Sequence, residues 1–169
     1  SQGLGIARGM TPEKLKQQWI EIDELNKKWN DFVVLKSIEM EIRADGSLDL
    51  PDEILKELDL VLVSTHSALK QTRDKITARV VKALQHPLVD IFAHPTGRLL
   101  GEREETALDL EEVFRVAKDT GTILEIDGSP DRLFRGCFIK VFCGSWLFVI
   151  NLPGGNLSQC ESINRATCI

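Results

Sequence analysis

Short apolar runs that alternate with stretches of helical spacing are the feature that most constrains this chain. Leu60-Val61-Leu62-Val63-Ser64 and Leu88-Val89-Asp90-Ile91-Phe92-Ala93 are too short for helices and too apolar for surface loops, so they read as buried strands. Residues 32–38, ending at Glu39, and residues 122–126 read the same way. Helical spacing fills the gaps. Leu15, Trp19, Ile22, Leu25 and Trp29 predict a helix over about 12–29, with Thr11 as N-cap and Pro12 in its first turn. Pro51 opens a short helix over 52–58. Ile76, Val80, Ala83 and Leu84 predict a helix over 72–85, stopped by Pro87. Asp109 and Glu112 form a capping-box-like pair before Leu110, Val113, Phe114 and Ala117, and Gly121 closes that helix. Asp45-Gly46 marks a turn. Strands and helices in alternation predict an α/β fold with a parallel sheet, closed as a barrel or open. In such folds chemistry gathers at the carboxyl ends of the strands.

The 169 residues suffice for one domain with a sizeable core. A net charge of -5 argues against gripping a nucleic-acid backbone through the overall field, so contact with phosphates needs local positive charge from metal ions or a few arginines. No signal peptide and no membrane-length apolar run is present, and a cytoplasmic location is expected. The composition breaks near residue 133. Beyond it Glu161 is the one acidic residue, and Cys137, Cys143, Cys160 and Cys168 all lie there. None is spaced C-x-x-C, which argues against a zinc site, and unpaired thiols in a reducing compartment are expected. Neither a phosphate-binding lysine loop nor a G-x-S-x-G elbow occurs. The glycines of Gly3-Leu4-Gly5-Ile6-Ala7-Arg8-Gly9 have the wrong spacing for a dinucleotide fingerprint, so this stretch reads as a loop at the edge of a site.

The candidate chemistry sits where strands end. His94 opens the Gly-containing run His94-Pro95-Thr96-Gly97-Arg98-Leu99-Leu100-Gly101 directly after a strand-like run. His66 follows Ser64-Thr65, and Glu39 ends the strand before that. One carboxylate and two imidazoles at successive strand ends suit Zn, Mn or Fe, and that position favours ligands over structural histidines. His86, at a helix end before Pro87, reads as structural. Arg8 and Arg98 lie beside glycines in loops. They suit phosphate recognition, or for Arg98 a surface salt bridge to Glu102 or Glu104. Glu41 shares a strand face with Glu39 and is either a support for the site or an exposed residue.

Leu4-Gly5-Ile6-Ala7-Arg8-Gly9-Met10, Ser37-Ile38-Glu39-Met40-Glu41-Ile42, Ser64-Thr65-His66, the run from His94 to Gly101, Leu124-Glu125-Ile126 and Ser129-Pro130-Asp131-Arg132-Leu133 occur in order along the chain. Together they resemble the PHP (polymerase and histidinol phosphatase) domain, in the branch attached to bacterial and archaeal family X DNA polymerases. The resemblance implies a distorted (βα)7 TIM-like barrel with a trinuclear metal centre. It implies a metal-dependent phosphoesterase with 3′-5′ exonuclease activity on DNA, serving repair synthesis beside a polymerase region. Glu39, His66 and His94 match the family's ligands and would act through bound divalent ions, manganese or zinc foremost, magnesium or iron otherwise. DNA or another phosphate ester is the implied substrate.

The chain also departs from the family. A His-x-His motif, an Asp-His pair and a terminal Asp-x-His motif are missing, and the chain has three histidines in all. Asp127-Gly128 stands in place of an Asn-Ala pair. The expectation is a partial barrel truncated at both ends: an incomplete PHP-like domain over residues 1–133 and an atypical segment over 134–169, frameshifted or disordered. The isolated chain is then expected to be largely inactive. The alternatives are a non-catalytic fragment with a structural role and a small-molecule phosphatase resembling histidinol phosphatase.

Overall fold

The computed structural model describes residues 9–125, Asp127, Arg132 and the backbone of residues 147 and 148. Arg8, the four cysteines and nearly all of 134–169 lie outside the described residues, as do Ser129, Pro130, Asp131 and Leu133.

Helix α1 (Pro12–Asn26) leads into strand β1 (Ser37–Glu41), helix α2 (Asp52–Leu55), strand β2 (Leu60–Ser64), helix α3 (Arg73–Leu84), strand β3 (Ile91–Phe92), helix α4 (Leu110–Thr120) and strand β4 (Ile123–Glu125). A further pair of residues, β5 (Leu147–Phe148), adds to the same sheet. The strands lie in chain order β1-β2-β3-β4-β5 and every neighbouring pair is parallel, so between β1 and β4 each connection must return the chain to the starting edge of the next strand. The α/β architecture with parallel strands and flanking helices is as the sequence predicts.

Local signals explain most boundaries. The Thr11 side chain accepts the Lys14 amide at the start of α1. Asp109 accepts the Glu112 amide at 3.3 Å, and Gly121 closes α4 in the left-handed conformation with φ 77°. At the turn after β1, Gly46 has φ +80°, and a Cβ there would meet the Arg79 carbonyl oxygen at 2.9 Å, so glycine is required. The start of α4 is tied to α3 by the Asp109 amide donating to Thr77 Oγ1 at 2.9 Å. Between strands, Asp90 acts as a rivet. Its carboxylate accepts the Val61 amide at 2.8 Å, its own amide donates to Val61 O, and its carbonyl accepts the Ile123 amide.

One predicted strand is displaced. The apolar stretch at 32–35 is irregular and leaves Phe32, Val33 and Leu35 exposed, and β1 begins only at Ser37. The cause is pairing. The Asn26 side chain brackets Val34, donating to its carbonyl at 2.9 Å and accepting its amide at 2.8 Å. Lys36 is held by Asp59, so the ladder with β2 opens at Ser37 opposite Leu60. Helix α1 accordingly stops at Asn26, and Leu25 and Trp29 are exposed while Leu15, Trp19 and Ile22 are buried. Strand β2 spans its sequence range, whereas α2 ends three residues early at Leu55, α3 loses one residue at each end and β3 is confined to Ile91–Phe92 within the predicted 88–93.

The core lies between the sheet and its helices. Ile38, Met40, Val61, Val63 and Phe92 from the strands meet Leu15, Trp19, Ile76, Val80, Leu84 and Val113 from the helices. Along β1 the side chains alternate, so Ile38 and Met40 enter this layer and Glu39 and Glu41 point to the other face. Among the described residues no helix is long and apolar enough to cross a membrane.

Candidate metal centre

Parallel register brings the carboxyl ends of β1 to β4 into one row. Glu39 and Glu41 come from β1, His66 from the residues just after β2, His94 from just after β3, and Glu125 from the end of β4. Glu39 pairs with Leu62 in register, two residues before the strand end, so Glu41 rather than Glu39 terminates β1.

Glu39, His66 and His94 converge. The Glu39 Oε1 atom lies 2.9 Å from His94 Nε2 and 3.3 Å from His66 Nε2. The two imidazoles meet edge to face, with centroids 5.1 Å apart. One donor atom from each of the three residues lies within 4.8 Å of the others. This arrangement has an electrostatic signature. Hydrogen bonding to Glu39 and Glu41 lifts the His66 imidazole to about 9, and the bonds from His66 and His94 hold the Glu39 carboxyl far below the usual carboxylate range. Two imidazoles and a carboxylate aimed at one point fit a divalent cation, which would take the place of the shared proton. The Nδ1 atom of His94 is buried with no hydrogen-bond partner among the described residues, so its other nitrogen, Nε2, carries the ring's polar contact to Glu39.

Two buried carboxylates hold the histidines from behind. The Glu125 carboxylate accepts the His94 amide at 2.7 Å, across an unusual backbone: His94 has φ +31°, in the left-handed region that side chains avoid. Burial pushes the Glu125 carboxyl up from its ordinary value, against the hydrogen bond from His94. Glu41 does the corresponding work for His66. Its Oε2 accepts the His66 amide at 2.9 Å and lies 3.2 Å from His66 Nδ1. Its Oε1 accepts the Ser67 amide at 3.0 Å, the Ser67 hydroxyl at 2.6 Å and Arg79 Nη2 at 2.8 Å. Burial alone would raise the Glu41 carboxyl, but the bonds from His66 and Ser67 outweigh it and hold the group ionised.

Arg98 lies beside the cluster, in a narrow crevice lined by His94, Thr96, Asp127 and Arg132. Arg132 Nε contacts Asp127 at 3.0 Å. His86 is apart from the cluster and engaged elsewhere, with Nε2 3.3 Å from Asp52 and Nδ1 accepting the Leu88 amide. That agrees with its structural reading.

Arg79 and Glu125 were not singled out for chemistry by the sequence. Arg79 had a readable signal: it lies three residues after Ile76 and four before Ala83, on the apolar face of α3, where an unpaired cation would be costly. Glu125 ends β4 on the same side of the sheet as the candidate ligands, but a carboxylate in that place does not announce that it will bind a backbone amide.

No family model matches the chain. It is 45% identical over 133 residues to the DNA polymerase/3′-5′ exonuclease PolX of Bacillus subtilis (strain 168), covering 79% of this chain and 23% of that protein. It is 35% identical over 109 residues to a probable phosphatase of Thermoanaerobacter sp. (strain X514), covering 62% of this chain and 42% of that protein. A probable phosphatase of Acetivibrio thermocellus is 36% identical over 129 residues, covering 66% of this chain and 51% of that protein. The chain thus spans from just under a quarter to about half the length of these relatives.

Proposed function

The chain belongs to the PHP family, in the branch found with family X DNA polymerases, and on that premise we propose that it is a metal-dependent phosphoesterase module cleaving DNA phosphodiesters in the 3′-5′ direction during repair synthesis. The observation that carries this reading is the meeting of His66 Nε2 and His94 Nε2 at Glu39 Oε1, at the carboxyl ends of adjacent parallel strands. Relatives named as an exonuclease and as phosphatases support hydrolysis of a phosphate ester. The same premise reads the parallel sheet as part of a distorted seven-stranded barrel, residues 1–133 as its domain, and the polymerase region as its partner within a longer protein.

Glu39, His66 and His94 would hold the cation, for which manganese and zinc suit the donor set best. When bound, such an ion supplies positive charge that polarises a phosphoryl oxygen and brings the pKa of a water toward neutrality. The chain's own residues do the rest. Glu125 fixes the backbone of His94, and Glu41 fixes that of His66. Arg98, beside His94, can offer its planar guanidinium to a non-bridging phosphate oxygen, and Arg8 is assigned the same role from its loop sequence. Three protein donors leave further coordination positions to water and substrate oxygens, so turnover by the isolated chain is expected to be slow.

The phosphatase names favour a second reading, hydrolysis of small phosphomonoesters. One experiment separates the two. The purified chain is given Mn²⁺ with a 5′-labelled single-stranded oligonucleotide and, in parallel, with p-nitrophenyl phosphate. A ladder shortened from the 3′ end, abolished by EDTA and reduced to background by His94→Ala, is expected. Release of nitrophenol with an intact oligonucleotide would favour the second reading. Failure to cleave either substrate, with metal bound, would leave a non-catalytic fold.

A further inference from the structure

Glu41 divides its two oxygens between different tasks. Oε1 is bound into the scaffold by the Ser67 amide, the Ser67 hydroxyl and Arg79. Oε2 is committed to His66, through its amide and Nδ1. The pair is deeply enclosed, with the side chains 6% exposed at Glu41 and 1% at Arg79. Arg79 also donates to the Ile42 and Ser67 carbonyls, which locks its guanidinium. A buried ion pair is weak evidence for stability, because desolvation offsets most of the attraction. A functional reason is therefore called for, and the imidazole provides it. An ionised carboxylate only accepts, so Nδ1 must carry the hydrogen that points at Oε2. Ser64 Oγ, 3.0 Å from Nδ1, can share that hydrogen. Nε2 meets a carboxylate too, Glu39 at 3.3 Å, so in the metal-free protein both ring nitrogens face an acceptor; a cation at Glu39 takes the Nε2 lone pair, and the one hydrogen left on the ring stays on Nδ1 against Glu41.

We propose that Glu41, braced by Arg79, is a positioning residue that sets the tautomer and ring orientation of His66 so that Nε2 is offered to the cation site. The proposal rests on the reading of His66 as a metal ligand. Its test is built so that the two can fail separately. In Glu41→Gln the amide oxygen is drawn to the donors on the Oε1 side. The amide NH₂ then faces His66, where it deprives the backbone N–H of its acceptor and donates to Nδ1, so Nε2 must carry the hydrogen.

The experiment uses the full chain labelled with ¹⁵N, Zn²⁺ titrated by calorimetry, and long-range ¹H–¹⁵N spectra of the imidazoles. The expected result is that wild-type His66 is protonated at Nδ1 and zinc-shifted at Nε2. In Glu41→Gln the Zn²⁺ dissociation constant should rise by about 10–100-fold, with an unchanged circular dichroism spectrum. Zinc bound through Nδ1 of His66, or a folded Glu41→Gln whose affinity stays within about twofold of wild type, would overturn the proposal. If the wild-type chain takes up no Zn²⁺, the ligand reading fails. The positioning role is then judged from the metal-free wild-type spectrum at pH 10, where an Nδ1–H ring supports it and an Nε2–H ring overturns it. That spectrum needs no variant, so a Glu41→Gln chain that fails to fold does not remove the test.

Discussion

His94 combines a strained backbone with a buried hydrogen bond, and the two explain each other. A non-glycine residue at φ +31° costs energy unless its surroundings hold it there, and the 2.7 Å bond from its amide to Glu125 is such a hold. Glu125→Ala should leave the amide buried without a partner and destabilise the chain by about 1–3 kcal/mol in urea unfolding. Glu125→Gln, which keeps an acceptor oxygen, should cost about 1 kcal/mol or less. Equal losses in the two variants would show that packing rather than the acceptor matters. At this scale the sequence was informative about identity and silent about partnership. Glu39, His66 and His94 stood out because polar, metal-capable residues at the ends of apolar runs are unusual. Glu41 remained ambiguous, since a carboxylate on that face could equally have been exposed. It is buried because Arg79, 38 residues later, reaches it.

Among the elements, β2 is legible residue for residue, because Leu60-Val61-Leu62-Val63 is bounded by polar residues and paired on both sides, with Val61 and Val63 buried and Leu60 and Leu62 half-buried. The first strand is not legible in the same way. Phe32, Val33 and Leu35 have strand-forming side chains, but strand formation needs a partner ladder, and that ladder opens at Ser37. Asn26 decides the matter by closing the end of α1 and bracketing Val34 at once. Asn26→Ala should remove both bonds, costing about 1–2 kcal/mol and speeding hydrogen exchange at the Val34 amide. If exchange at Val34 is unchanged, the bracket does not hold the segment in solution. The caps Thr11, Asp109 and Gly121 fall where the sequence places them, because a cap satisfies local amides and carbonyls and needs no distant partner.

For the whole molecule, the cluster couples stability to pH. The His66 imidazole is lifted from 6.5 in an unfolded chain to about 9 in the fold, chiefly by its bonds to Glu39 and Glu41. A raised base stabilises the fold fully below the unfolded value and ceases to do so as pH rises through the folded one. The metal-free chain should therefore lose stability between about pH 6.5 and 9. The loss should be on the order of 1–3 kcal/mol, allowing for the solvent that reaches the ring. Urea midpoints measured across that range check it, and His66→Gln should flatten the slope. A stability that rises over the same interval would contradict the protonated pairing.

Strand–helix alternation, cap positions and the residue types able to bind a cation were determined by the sequence itself, because each depends on neighbours within a few positions. The tertiary structure decided everything that joins distant segments. The β1–β2–β3 register carries Glu39, His66 and His94 to one point, the Asn26 bracket moves the start of β1, and Arg79 from α3 turns Glu41 from a free surface carboxylate into the brace behind His66. The physical reason is the same throughout. Periodicity is a property of one segment. The distance between two side chains from different segments is set by hydrogen-bond register and packing, which exist only once the segments are assembled.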